Sequence, residues 1–240
     1  MSPHSKSRWA VIGFTMICVA FASMGCNDGD ETPETPTAPT PPPSAVAPQN
    51  LLRAATLTDD APTVDVRING EIVFSDLRYP GVSEYKSFAA GEYRVEFLRA
   101  GQRRTTLAET TINLGIGEHL TVAILGLFGL EIQEIQDNLD GNPNRARIKL
   151  FNAVADFPDA LDLWILNGRP LVQEIAYRQT SGYAELVPGF YNLELVRFNT
   201  RKQIATALGA SLMGNSTLTA FAVGTLRRDD IELLMVRDSF

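Results

Sequence analysis

The chain has 240 residues, a formal net charge of -7 and 45% hydrophobic residues, enough for one large domain or two of ordinary size. An acidic balance with no basic stripe argues against nucleic acid as a partner. Two cysteines and two histidines leave no cluster for zinc and little material for a nucleophile–base pair.

Residues 1–25 read as a signal peptide. Lys6 and Arg8 give a positive start, Trp9 to Ala22 carry no charge, and small residues follow at Ala22, Ser23 and Gly25. The apolar run from Trp9 to Gly25 is 17 residues, the short edge of a membrane span. Ala20-Phe21-Ala22 fits ordinary secretory cleavage. Ser23-Met24-Gly25-Cys26 resembles a bacterial lipobox, with Ser23 where leucine is usual. That resemblance implies lipidation of Cys26, an anchored protein of the cell envelope and the membrane as a partner; plain cleavage implies secretion instead. Cys18 would leave with the signal, so the mature chain relies on packing and not on an internal disulfide.

Residues 26–50 form the tether. Seven prolines among residues 27–50, with threonines between them, predict a disordered, extended linker that cannot bury a core. At about 3.1 Å per residue it reaches roughly 70 Å.

From Leu51 onward the pattern is β. Val64 to Ile68 alternates apolar and charged residues before Asn69-Gly70, a hairpin signal. Tyr93, Val95 and Phe97 alternate with Arg94 and Glu96, and Thr106–Asn113, His119–Leu127 and Leu130–Gln136 continue the period of two. The whole set then recurs. Asn69-Gly70 returns as Asn167-Gly168, Gly91 as Gly189, Thr121 as Thr219, and the six tyrosines pair as 79/177, 85/183 and 93/191, all at an offset of 98. The offset is 97 before Asn69, where Leu166 is the extra residue, and 101 after Gly126. Such a repeat predicts an all-β protein of two tandem antiparallel β-sandwich domains, immunoglobulin-like or transthyretin-like. They span residues 51–138 and 145–240, with Asp137 to Asn144 between them.

These motifs resemble the "domain of unknown function 4397" family. They are the Asp59-Asp60-Ala61-Pro62 entry, the Asn69-Gly70 turn, Tyr79, the Gly91-Glu92-Tyr93 strand start and the Thr121 to Gly126 strand, nearly all of them present twice. The resemblance implies exported or lipid-anchored β-sandwiches and transfers no catalytic residue.

Candidate chemistry is sparse. His119 aligns with Thr217 and reads as a strand-rim residue, not a catalytic one. Asp59, Asp60 and Asp65 recur as Asp156, Asp159 and Asp162, but aspartates at strand entries usually serve local turns. Asp137 to Asn142 lacks the spacing of a calcium loop. Neither a metal nor a cofactor is expected. Tyr93 and Tyr191 resemble tyrosine corners, a structural role. Trp164, beside Asp162 on the outward face of its strand and at the place of Arg67, marks a contact with the other domain or a binding face. The resulting expectation is a non-catalytic envelope protein that binds a glycan or a protein, or serves structurally. The alternative is an enzyme accessory or weak carboxylate hydrolase at the domain interface.

Overall fold

The computed structural model describes residues 49–238. Strands β1 (Asn50–Thr56), β2 (Val64–Ile68), β3 (Glu71–Leu77), β4 (Gly81–Val82), β5 (Lys86–Phe88), β6 (Gly91–Arg99), β7 (Thr106–Leu114), β8 (His119–Leu125) and β9 (Glu131–Asp137) build the first repeat. Strands β10 (Ala146–Asn152), β11 (Leu161–Ile165), β12 (Pro170–Ile175), β13 (Ala184–Leu186), β14 (Gly189–Arg197), β15 (Gln203–Leu212), β16 (Thr217–Val223) and β17 (Glu232–Arg237) build the second. The described residues hold no α-helix, only a 3-10 turn at Leu226–Arg228.

Each repeat is a pair of sheets. The first repeat has the orders β4-β1-β8-β9, with β5 also on β1, and β3-β2-β6-β7; the second has β13-β10-β16-β17 and β12-β11-β14-β15. Pairing is antiparallel except that β1 runs parallel to β8 and β10 parallel to β16. The reason lies in the chain path: β1 and β10 open their repeats and lie beside the late strand of the same sheet.

Three apolar clusters fill the space between sheets. One lies inside the first repeat around Leu52, Val66, Phe97 and Val122; a second lies inside the second repeat around Leu150, Leu163, Leu195 and Ala220. The third joins the repeats through Ala55, Leu57, Ala123, Leu125, Ile135, Phe151, Ala153, Phe221 and Val223. The β1–β8 and β10–β16 sheets are therefore covered on both faces. Every residue of β1 and β16 is buried, and this removes the polar alternation by which a half-exposed strand is recognised.

The offset of 98 is interrupted once more, within β7 and β15. Leu195 pairs with Ala205 where Phe97 pairs with Ala108, but Tyr191 pairs with Ala210 where Tyr93 pairs with Ile112. The turn before β15 is one residue shorter, and one residue is regained as a bulge at Leu208-Gly209, where Gly209 has φ +67°. Glycine takes that left-handed conformation at little cost.

Candidate functional site

The densest set of charged groups sits where the two repeats meet. On β1 the face that looks toward the other repeat carries Arg53 and Ala55, with Leu57 just past its end; on β10 it carries Lys149 and Phe151, with Ala153 just past its end. Arg53 stands opposite Thr121 and Lys149 opposite Thr219 in the parallel ladders. Asp137 ends β9, and Asp238 follows β17. These equivalences give Arg53/Lys149 an offset of 96 and Asp137/Asp238 an offset of 101.

The bonds cross between repeats. Arg53 Nη2 donates to Asp238 Oδ1 at 2.6 Å, and Lys149 Nζ donates to Asp137 Oδ1 at 2.8 Å. Arg53 also lies 3.6 Å from Asp137, and all four side chains are at most 1% exposed. Thr121 donates to Asp137 Oδ2 and Thr219 to Asp238 Oδ2, at 2.5 and 2.7 Å. Tyr85 donates to Asp137 Oδ2 at 2.6 Å and lies under the Arg53 guanidinium, 4.4 Å from ring centre to carbon. Tyr183 covers Lys149 and Arg147 at 5.2 and 5.0 Å. Two positive and two negative charges cancel, and their polar atoms have partners. A buried charge is tolerated only under those conditions.

The electrostatics follow. Burial pushes the Asp238 carboxyl above its ordinary value, an effect that the nearby Arg53 partly offsets. Burial alone would lower the Arg53 guanidinium, but Asp137, Tyr85 and Asp238 together raise it. Burial drives the Tyr85 and Tyr183 hydroxyls up, with Asp137 adding to Tyr85 and Asp238 to Tyr183. Tyr79 and Tyr177 pack at the edge of the same joint, and Tyr79 is pushed up to about 12, first by burial and then by Asp230. All four outer tyrosines thus serve the contact between repeats. Rim bonds complete it: Arg228 pairs with Asp59, and Arg178 pairs with Glu131 and donates to Gln133 at 3.1 Å.

The other aspartates are engaged locally. Asp65 accepts the backbone N–H groups of Asp76 and Gly101, both at 3.0 Å, and Asp162 accepts that of Glu174 at 2.8 Å. Asp76 and Glu174 have φ of 54° and 60°, so each aspartate braces the same bulge in its repeat. Asp156 accepts the N–H groups of Leu226 and Arg227 at 2.8 and 3.1 Å, while Asp159 pairs with Arg197. Among the described residues no group of three or more His, Cys, Asp or Glu side chains could hold a metal. Asp137, assigned from sequence to the connection between repeats, instead ends β9 and belongs to the buried quartet. Its neighbours' spacing hides this, because the pairing partner is Lys149 and not another loop residue.

Tyr93 donates to the carbonyl of Ala89 at 2.9 Å and Tyr191 to that of Val187 at 2.6 Å, the same four-residue tie in both repeats. His119, at the start of β8, has Nδ1 buried without a protein partner. Trp164 is half-buried on the β12-β11-β14-β15 sheet, which contributes nothing to the cluster between repeats. Expected at a contact with the other domain or on a binding face, Trp164 makes its contacts to Asp162 and Arg201 within its own repeat. It covers Asp162, donating from Nε1 at 3.4 Å, and carries the Arg201 guanidinium over its ring at 3.9 Å. Cys26 and residues 26–48 of the linker lie outside the described residues; Asn50, assigned from sequence to the linker's end, instead opens β1 and is buried.

The domain of unknown function model DUF4397 matches residues 51–162 and 146–240. The chain belongs to this family. No curated protein matches it. Among solved structures, it is similar to the TIE protein of Bacillus anthracis (TM-score 0.24, 10% identity, covering 74% of this chain and 34% of that one). The chain thus spans about a third of that protein's length. A putative cell adhesion protein of Bacteroides fragilis gives a TM-score of 0.22 at 11% identity, covering 81% of this chain and 98% of that one.

Proposed function

We propose that this DUF4397 protein is a non-catalytic component of the cell envelope, lipid-anchored at Cys26, whose paired β-sandwiches bind a surface glycan or protein or act structurally. One observation carries the reading. The closest set of ionisable groups, Arg53, Asp137, Lys149 and Asp238, is sealed from solvent and neutralised internally. A hydrolase that works through two carboxylates needs room for substrate and water between them. Here threonine and tyrosine hydroxyls and the opposing cations occupy that space. The carboxylates therefore act as a joint, which favours a binding or structural role over the interface hydrolase.

The test uses the folded body from residue 46, a compact unit by itself, as bait on the solubilised envelope fraction. Retention of a defined glycan or protein, unchanged in an Asp60→Asn control, supports binding. Turnover of a glycan substrate that is lost in Asp137→Asn while the fold persists would overturn the reading. For the anchor, Cys26→Ala should move the protein from the membrane to the soluble fraction. A mature mass beginning at Ser23 without lipid would reject lipidation.

A further inference from the structure

Two departures from reciprocity in the joint fall on the same pair, Asp137 and Lys149. The first is the cation. Where the first repeat supplies Arg53, the second supplies Lys149. A guanidinium keeps its charge and is no nucleophile, whereas an ammonium that gives up one proton becomes an amine able to attack a carboxyl carbon. The second departure is a hydroxyl. Tyr85 donates to Asp137 Oδ2 at 2.6 Å, beside Thr121 at 2.5 Å. The matching Tyr183 instead accepts the backbone N–H of Asn138.

We propose that Lys149 and Asp137 join in an amide bond, made by the folded protein itself, which ties the last strand of the first repeat to the first strand of the second. Lys149 Nζ is held 2.8 Å from Asp137 Oδ1 and 2.5 Å from the carbonyl oxygen of Gln136. Those two acceptors set it against the carboxyl group, and a fixed contact supplies the effective concentration that free solutes lack. Both side chains are at most 1% exposed. An ammonium and a carboxylate taken out of water lose the solvation that keeps them ionised, so passing to neutral amine and acid costs less there.

The quartet of free side chains is the state before the step, and the step balances. The ammonium passes one proton to Oδ1, and the nitrogen lone pair attacks Cγ. Negative charge gathers on Oδ2, where the Tyr85 and Thr121 hydroxyls already point. A second proton moves from the nitrogen to the Oδ1 hydroxyl, the Cγ–Oδ1 bond breaks, and one water leaves. No oxidant or reductant is needed. The amide removes one charge of each sign, so Arg53 and Asp238 remain a balanced pair. In a body without cysteine, it is a covalent brace across the joint that no reductant opens.

The intact mass of the body from residue 46, the compact unit, tests this. The expected mass is that of the sequence less one water, and a digest should contain a branched peptide that joins Asp137 to Lys149. Lys149→Arg installs the first repeat's own residue and keeps the charge, so it should fold and show the full sequence mass. An intact mass equal to the sequence value in the unmodified body overturns the proposal. So does a water loss that persists in Lys149→Arg, or one that maps to Asp140-Gly141, where cyclisation of the backbone also releases water.

Discussion

Arg53 and Asp238 are separated by 185 residues and joined by a 2.6 Å bond that is closed to solvent. Its mirror image is the bond from Lys149 to Asp137. In each case the cation of one repeat holds the anion of the other, at equivalent positions. That reciprocity is the signature of an isologous contact, here realised within one chain. The two repeats meet as two subunits of a symmetric dimer would.

Removing one member should therefore be costly. Arg53→Met leaves Asp238 and Asp137 buried with a single cation between them, and the expected loss is about 3–5 kcal/mol. The double change Arg53→Met with Asp238→Leu removes charge in balance and should recover most of that loss. Urea unfolding of the parent and the two variants decides the matter. Equal destabilisation by the single and double changes would show that the pair contributes through shape and not through charge.

The repeat, the all-β class and the sandwich strands were legible because Asn-Gly turns, Gly-x-Tyr entries and alternation recur together. The joint was not. Arg53 in Leu-Leu-Arg-Ala-Ala-Thr and Lys149 in Ile-Lys-Leu-Phe-Asn look like ordinary solvated residues on short strands. Their equivalence falls at an offset of 96, not the 97 read before Asn69, while the aspartates follow the 101 that holds after Gly126. The parallel pairing that aligns them with Thr121 and Thr219 has no local sequence signal. Alternation sets Trp164 on the face opposite Leu163, but periodicity cannot say which of the four sheets that face belongs to.

Acid should weaken the first repeat through Glu96. Hydrogen bonds from Arg67, at 2.8 and 2.6 Å, outweigh burial and hold its carboxyl below the ordinary 4.5. A depressed native value gives stability that is fully present above the unfolded value and is lost as pH falls through the native one. Stability should thus decline from about pH 4.5 downward. Asp238 runs the other way, since its raised value makes its contribution largest in acid and smaller as pH rises. Glu96→Gln should flatten the acid limb of a urea-midpoint profile. An unchanged acid limb would assign that loss to other carboxylates.

The tyrosine ties should be worth one hydrogen bond each. Tyr93→Phe and Tyr191→Phe remove only the oxygen that bonds Ala89 or Val187, and each should cost about 1 kcal/mol with the fold intact. Both carbonyls lie near solvent, so water can take the lost partner's place and limit the cost. Denaturant midpoints equal to the parent's in both variants would mean that the ties contribute nothing.

Trp164 and Arg201 should prove to be a coupled pair that replaces a salt bridge. In the first repeat Arg67 grips Glu96 through two bonds, and in the second Trp164 stands where Arg67 does. Arg201 then approaches from the following turn, lying over the indole at 3.9 Å and 3.6 Å from Glu194. The ring keeps Asp162 and Glu194 covered, while the guanidinium supplies the charge that the tryptophan lacks. Arg201→Ala should cost about 0.5–1 kcal/mol, the usual worth of a cation over an aromatic face near solvent. In a Trp164→Arg background the new guanidinium can reach Glu194 as Arg67 reaches Glu96, and Arg201→Ala should then cost almost nothing. Trp164→Arg alone should change stability by less than about 1 kcal/mol, because it trades one arrangement for the other repeat's. A double-mutant cycle by urea unfolding measures the coupling. Zero coupling would separate the two residues, and a loss of several kcal/mol in Trp164→Arg alone would show that the indole supports the sheet by packing.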